Sequence, residues 1–305
     1  MKKQNYTYLA DMSLVFVAIV WGAGFIGTQY ALDANGSTLL ILAMRFVMAG
    51  VILGIIFRKR IMKTSRKDIF YGAIAGLILF LGFYTQTVGQ SLTVISNAAF
   101  ITATNVVMVP FIVWIFTKVK PPTKTFILSF VALLGIGILS ISFDSKGLVL
   151  GLGDMLVLLS AVLWASHIAY LGIMVKDRDP SVMAFAQLMT AGIISLVLLL
   201  ILEPESITSM DYSKGLLPII YLGLFSTLMC FLIQTTAQKY TSPSKAGIIM
   251  SMEGLFGSIF SVMLGLELLT KNLIIGGALV LASVVLVEAK WHRKKNDVIE
   301  VQGVD

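Results

Sequence analysis

The sequence predicts an all-α integral membrane protein, with ten transmembrane helices arranged as two inverted repeats of five. Hydrophobic residues make up 57% of the chain and charged residues 13%, with a mean hydropathy of +0.92, too little charge to cover a water-facing surface. The apolar residues fall into continuous runs of about 20, the length that spans ~30 Å of hydrocarbon as a helix. The stretch FYTQTVGQSLTVISNAAFI at 83–101 returns at 231–249 as FLIQTTAQKYTSPSKAGII. The matches include Gln86/Gln234, Thr87/Thr235, Gln90/Gln238 and Ser96/Ser244, whereas chance pairing of apolar segments would match Leu, Ile and Val; the likeness is an internal duplication.

In chain order the predicted spans are 12–32, 38–57, 69–90, 95–117, 124–143, 153–175, 181–202, 215–238, 245–266 and 273–290. They read as helices rather than barrel strands because their apolar character is continuous and does not alternate. Lys2 and Lys3 precede the first run as in a signal peptide, but the run is too long, no A-x-A site follows, and the second half contains its copy, so the segment is expected to be retained. Residues 11–147 form the first repeat and 154–290 the second. Asp11-Met12 recurs as Asp154-Met155, Trp21 as Trp164, and Met48-Ala49-Gly50 answers Thr190-Ala191-Gly192, which sets Arg45 against Gln187. The offset drifts from 143 to 142 to 148, so insertions fall in loops. With five spans per half, the second copy enters the membrane upside down, a pattern shared by many transporters.

Charge sets the orientation. With a cytoplasmic N-terminus, nineteen of the 23 basic residues lie in inner loops or tails, only Lys146, Lys214 and Lys271 lie outside, and Arg45 is within the second span. This bias predicts both termini in the cytoplasm, and the chain is expected in the cell (plasma) membrane. The tract Arg58–Lys67 reads as topogenic, and a juxtamembrane basic cluster of this kind also suits anionic membrane lipids. The net charge of +7 is explained by these loops, so no nucleic-acid partner is expected. The lone Cys230 lies inside the eighth run and reads as packing. The sequence assigns no oligomeric state.

Gly22-Ala23-Gly24-Phe25-Ile26-Gly27 matches G-x-G-x-x-G, but a nucleotide fingerprint needs a βαβ unit and an acidic residue about 20 positions on. Both are missing, so close helix packing is expected, as for Gly50/Gly54 and Gly72/Gly76. Polar groups inside the spans are more informative, since a charge at the bilayer centre costs about 2.5–3.5 kcal/mol on insertion scales. Glu253 is the carboxylate at mid-membrane depth, and its repeat equivalent is Asn105. It reads either as a group hydrogen-bonded between helices or as one facing a water-filled cavity. Trp21 and Trp164 sit near the middle of their spans, where they are packing anchors or cavity walls, and His167 shares a helix face with Ser160, Trp164 and Tyr170. Trp21, Asn105, Trp164, His167 and Glu253 are the candidate solute-binding residues. Arg45 and Gln187 are candidate charge partners, although Arg45 also has the reach to snorkel toward the interface. The four repeated Gln residues read as helix caps or interhelical hydrogen-bonding groups. Two histidines and one cysteine supply no metal site of the usual ligands, no G-x-S-x-G or Ser/His/Asp constellation is present, and no cofactor is expected.

Trp21-Gly22-x-x-Phe25, Asn97-Ala98-Ala99-Phe100-Ile101, Val109-Pro110, Met252-Glu253-Gly254 and Leu264-Gly265-Leu266-Glu267, taken with the repeat, resemble the ten-helix EamA-type branch of the drug/metabolite transporter superfamily over residues 11–290. Members commonly have Pro where this chain has Gly254. The resemblance implies a non-enzymatic secondary carrier or facilitator, often an exporter, of small organic metabolites such as amino acids, with a cavity lined largely by spans 1, 3, 4, 6, 8 and 9. Nucleosides, sugars or cationic drugs are the alternative cargo, and a structural or sensory role without transport is the remaining reading. The chain has no ATP site, so coupling would come from a solute gradient or protons.

The orientation is testable in a background where Cys230 is replaced by Ala. Single cysteines at Lys63 and Lys120 are expected to resist an impermeant thiol reagent in intact cells, while one at Ser209 reacts. Labelling at Lys63 would reverse the topology.

Overall fold

A computed structural model describes residues 2–93, 95–140, 151–265, 268–269 and 271–288. Its helices are α1 (Lys2–Asp33), α2 (Thr38–Ile56), α3 (Arg58–Ile61), α4 (Arg66–Ser91), α5 (Ile95–Ala103), α6 (Asn105–Thr117), α7 (Thr123–Ser140), α8 (Leu152–Met174), α9 (Pro180–Leu202), α10 (Ser206–Ser209) and α11 (Tyr212–Tyr221). A π-helical stretch, Leu222–Met229, joins α11 to α12 (Cys230–Gln238), and α13 (Pro243–Met250), α14 (Met252–Met263) and α15 (Lys271–Glu288) complete the chain order. No strand occurs among the described residues. Each predicted apolar run is helical over its described part, but seven stretches, not ten, are long and apolar enough to cross a bilayer by themselves. Ile101–Thr117, Thr123–Ile138 and Ile274–Leu286 are shorter apolar helices. Glu267 and Leu266 of the family-like motif, and Lys146 and Lys290, lie outside the described residues.

Local chemistry sets the helix starts. Ser37, Ser65 and Ser242 accept hydrogen bonds from the backbone N–H groups of Leu40, Asp68 and Lys245, and Asp179 accepts from Ser181. Pro180 and Pro243 occupy the first turns, where a missing N–H removes nothing from the helix.

Two predicted continuous spans, 95–117 and 245–266, prove to be broken, at Thr104 and Ser251. In each case a hydroxyl bonds back to a carbonyl three residues earlier, Thr104 Oγ1 to Ile101 O at 2.6 Å and Ser251 Oγ to Ile248 O at 2.7 Å. This competes with the backbone ladder and opens the turn. The breaks fall within one residue of matching places in the two halves, Thr104 one residue before Asn105 and Ser251 two residues before Glu253. The predicted span 215–238 contains a π-helical stretch, Leu222–Met229. It follows Pro218, which lacks the donor its turn requires, and the wider turn leaves the Ser226 carbonyl to accept from Trp21 Nε1 at 2.9 Å.

The distribution of side chains is that of a protein in lipid. Large apolar residues such as Ile55, Ile115, Phe116, Leu134, Leu200, Leu217 and Val285 cover the outside, while Arg45, Gln90, His167, Gln187, Thr227, Gln234 and Gln238 are buried. Helices approach closely through glycine. A Cβ on Gly50 would meet Met189 Cα at 3.1 Å, and one on Gly192 would meet Val47 N at 3.0 Å, so α2 and α9 cross through the same contact made from both sides. On α4, a Cβ on Gly76 would lie 2.5 Å from Gln187 O and 2.9 Å from its Cα. The G-x-G-x-x-G run is packing as well: a Cβ on Gly22 would meet Gly257 N at 2.7 Å.

The halves also repeat each other's hydrogen bonds. Gln90 Nε2 donates to Phe25 O at 3.0 Å, and Gln238 Nε2 donates to Ile168 O at 2.9 Å, with both donor and acceptor at equivalent positions in the two halves.

Gly76→Leu is expected to lower stability by about 1–3 kcal/mol, because the backbone of α9 must shift to admit the side chain. Gly254→Ala, which adds a Cβ with nothing within 4 Å, is expected to be neutral or mildly stabilising. Thermal unfolding of the purified protein in detergent distinguishes them, and equal midpoints would reject the close-packing account.

Candidate functional site

A cavity of about 50 Å³ lies at the centre of the bundle. Trp21, Gly24, Phe25 and Thr28 of α1, Phe83, Gln86, Thr87 and Gln90 of α4, and Trp164 and Ile168 of α8 form most of its wall. Asn105, Ser226, Met250 and Glu253 come from the broken or π-helical segments, and Arg45 reaches in from α2. Helix irregularity therefore supplies three of the polar lining groups, Asn105, Ser226 and Glu253. Backbone freed from a regular ladder is tolerated at membrane depth where it borders a cavity.

Four rings divide the cavity from the rest of the core. Trp21 lies 5.3 Å from Phe231 and Trp164 lies 4.7 Å from Phe83, centroid to centroid, and these are repeat-equivalent contacts that both run between the two halves. The tryptophans meet at 6.2 Å and the phenylalanines at 6.0 Å. Packing of this kind gains about 0.5–1.5 kcal/mol per pair beyond burial.

Arg45, 2% exposed, donates from Nε to Thr227 Oγ1 at 2.8 Å and from Nη2 to Ser226 Oγ at 3.3 Å. Its guanidinium carbon lies 4.2 Å from the Phe83 ring centroid. The side chain turns inward rather than snorkelling. Glu253, 8% exposed, faces the same cavity, yet the two form no ion pair: the salt bridges among the described residues are Arg60–Asp179, Arg178–Asp68, Lys214–Asp211 and Lys245–Asp11.

Trp21, Asn105, Trp164, Glu253 and Arg45 thus meet around one space, whereas His167 and Gln187 lie behind its wall. His167 Nε2 is 2.8 Å from Gln187 Oε1, and Gln187 Nε2 donates to Thr235 Oγ1 at 2.9 Å. Because the Gln187 amide already donates to Thr235, its oxygen accepts, and the His167 proton in this pair sits on Nε2. Phe83, Gln86, Gln90 and Ser226 are lining residues that sequence reasoning did not select as a site. The first three were visible as the repeated residues themselves. Ser226 had only Pro218 upstream as a signal.

The cavity occupies the half of the bundle toward Thr28 and Gln90. The other end is closed by an ion pair between Lys245 Nζ and Asp11 Oδ2 at 2.7 Å. Lys176 Nζ adds hydrogen bonds to Gln238 O, Lys239 O and Thr241 O, and its burial pushes this ammonium down to about 8. Asp154, the equivalent of Asp11, accepts instead from Thr93 Oγ1 at 2.7 Å and Gly151 N at 3.0 Å.

An all-helical bundle with a lipid-compatible exterior and a polar centre defines a multi-pass membrane protein with a small polar cavity at its core. The chain belongs to the EamA-like transporter family, which matches residues 9–141 and 151–289, one match per half. An uncharacterized transporter of Archaeoglobus fulgidus is 30% identical over 285 residues, covering 92% of this chain and 86% of that relative. A protein known from a crystal structure shares the fold with a TM-score of 0.74 at 14% identity, over 92% of this chain and 96% of the other. Family membership assigns the chain to transport in general.

Gln187→Leu would strip His167 and Thr235 of their shared partner, and the expected loss of stability is about 1–3 kcal/mol. Thr235→Val removes the acceptor for Gln187 and a hydroxyl donor to Phe231 O, a carbonyl within its own helix, and should lower the thermal midpoint less. If neither variant shifts the midpoint, the His167–Gln187–Thr235 chain is not structural.

Proposed function

We propose that the protein is a secondary transporter of small organic metabolites, amino acids foremost, working by alternating access as an exporter in the plasma membrane with both termini in the cytoplasm. Its ten spans form two inverted halves, 11–147 and 154–290, around the central cavity. One observation carries this reading. Applying the repeat offsets to the cavity wall turns Gly24, Arg45, Gln86, Thr87 and Gln90 into His167, Gln187, Gln234, Thr235 and Gln238. Those image residues are fully buried, and Gln234 Nε2 and Oε1, Gln238 Oε1 and His167 Nδ1 have no hydrogen-bond partner among the described residues. An unpartnered buried polar group costs roughly 1–3 kcal/mol. Such a cluster is expected of a pathway half that is shut here and hydrated in the opposite conformation. His167 and Gln187 then join Trp21, Asn105, Trp164 and Glu253 as solute-facing residues when the Asp11 end opens.

Glu253 is the carboxyl group placed to exchange a proton for solute, while Asn105, its equivalent, only hydrogen-bonds. The halves would be alike in motion and unequal in chemistry. The aromatic walls would also stack a nucleobase or sugar, so the test uses a mixed panel. Purified protein in liposomes, assayed for exchange of amino acids, nucleosides, sugars and organic cations with and without a pH gradient, is expected to move amino acids. Glu253→Gln should keep the fold and flatten the pH dependence of net transport, and Asn105→Ala should weaken transport at every pH. An unchanged pH profile in Glu253→Gln would make the carboxyl structural, and failure to move any solute would reject the transport reading.

A further inference from the structure

We propose that Arg45 is the residue that recognises the solute, by gripping a carboxylate, so that the transporter accepts acids and rejects their amides and amines. The inference deepens the transport reading and rests on it. A guanidinium buried in a membrane protein is expensive, and it is normally matched by a carboxylate or led to the interface. Arg45 has neither. Its two protein hydrogen bonds, from Nε to Thr227 and from Nη2 to Ser226, go to uncharged hydroxyls, and Phe83 covers one face of the plane. Nη1 makes no hydrogen bond among the described residues, and the side chain forms part of the cavity wall. The fork is therefore held along one edge and from one face, with its remaining N–H groups available to a ligand. That is the arrangement that binds a carboxylate through two parallel hydrogen bonds.

The repeat supplies an independent argument that the charge is not there for packing. At the equivalent position the other half uses Gln187, an uncharged amide that ties His167 to Thr235. Bridging between helices at this depth is thus achieved without a cation. The surplus positive charge at position 45 needs an anion that the protein itself does not provide, since Glu253, on the same cavity, lies beyond ion-pair distance. A solute that brings its own carboxylate neutralises the site on arrival, and Trp21, Trp164 and Phe83 offer an apolar wall for its side chain.

Exchange in proteoliposomes loaded with radiolabelled phenylalanine tests this, with external phenylalanine, 3-phenylpropanoate, phenylalaninamide and phenethylamine as competitors. The two acids are expected to compete, and the amide and amine to be at least tenfold weaker. Arg45→Gln should lose acid recognition by about tenfold or more, with Arg45→Lys intermediate. A folding defect in these variants is bypassed in the wild-type protein. Modification of Arg45 by phenylglyoxal, read by peptide mass spectrometry, should be blocked by phenylalanine and not by phenylalaninamide. Equal competition by acid and amide, wild-type affinity in Arg45→Gln, absence of Arg45 modification or equal protection by the amide would each overturn the assignment. If the protein exchanges uridine, glucose or tetraphenylphosphonium but no acid, the carboxylate site is wrong and transport stands; if it exchanges nothing, both fall.

Discussion

A bilayer offers no hydrogen-bond partner, and the rest of this structure depends on that constraint. A polar group on a span that neither finds a match inside the bundle nor borders a cavity is held at a cost, as Gln234 is. Arg45 is matched by hydroxyls across the α2 contact with the π-helical stretch, Gln90 and Gln238 by carbonyls of α1 and α8, and His167 by Gln187. The outer surface, freed of polar work, is left to Leu, Ile, Val and Phe. Helix contacts cannot draw on the hydrophobic effect in lipid. They rely on close approach, which is why Gly50, Gly76 and Gly192 stand where backbones touch.

The same constraint explains why the irregular turns are found at the site. A break at Thr104, a break at Ser251 and the π-helical stretch after Pro218 would each leave unsatisfied backbone groups if they faced lipid. Turned inward, they become the means of placing Asn105, Glu253 and Ser226 on one cavity. Trp21 is fastened to the freed Ser226 carbonyl and Arg45 to the neighbouring hydroxyls, so one distorted turn supports both an aromatic wall and the buried cation.

The two halves share positions but only part of their chemistry. Arg45 stands against Gln187, Glu253 against Asn105, and the Asp11–Lys245 ion pair against an Asp154 held by Thr93 and a backbone N–H. Under the proposed alternating-access reading, equivalent backbones would make the two ends interchangeable, while the unequal side chains would give them different stabilities. The tight end is the one with the full ion pair and the carbonyl-bound Lys176. Under the same reading, such differential contacts would bias the equilibrium between the two states.

Much of this was legible in the residues. Continuous apolar runs determined an all-helical membrane chain, and the repeated Phe, Gln and Thr of 83–101 and 231–249 determined which positions correspond. Polar residues within those runs drew notice to Trp21, Asn105, Trp164 and Glu253, because an unpaired group at that depth is too costly to keep without a reason. The helix breaks were not legible, since Thr and Ser sit within ordinary helices as often as they open them, and the outcome turns on whether a cavity borders that turn. Nor was the separation of Arg45 from Glu253, or the pairing of His167 with Gln187. Such contacts depend on how α2, α8, α9 and α14 cross, and crossing is set by the summed fit of many glycine and side-chain contacts. The sequence by itself determined the kind of molecule and its internal correspondence. Only the tertiary structure decided which polar groups face the cavity and which are sealed behind it, because only packing settles which partners come within hydrogen-bond reach.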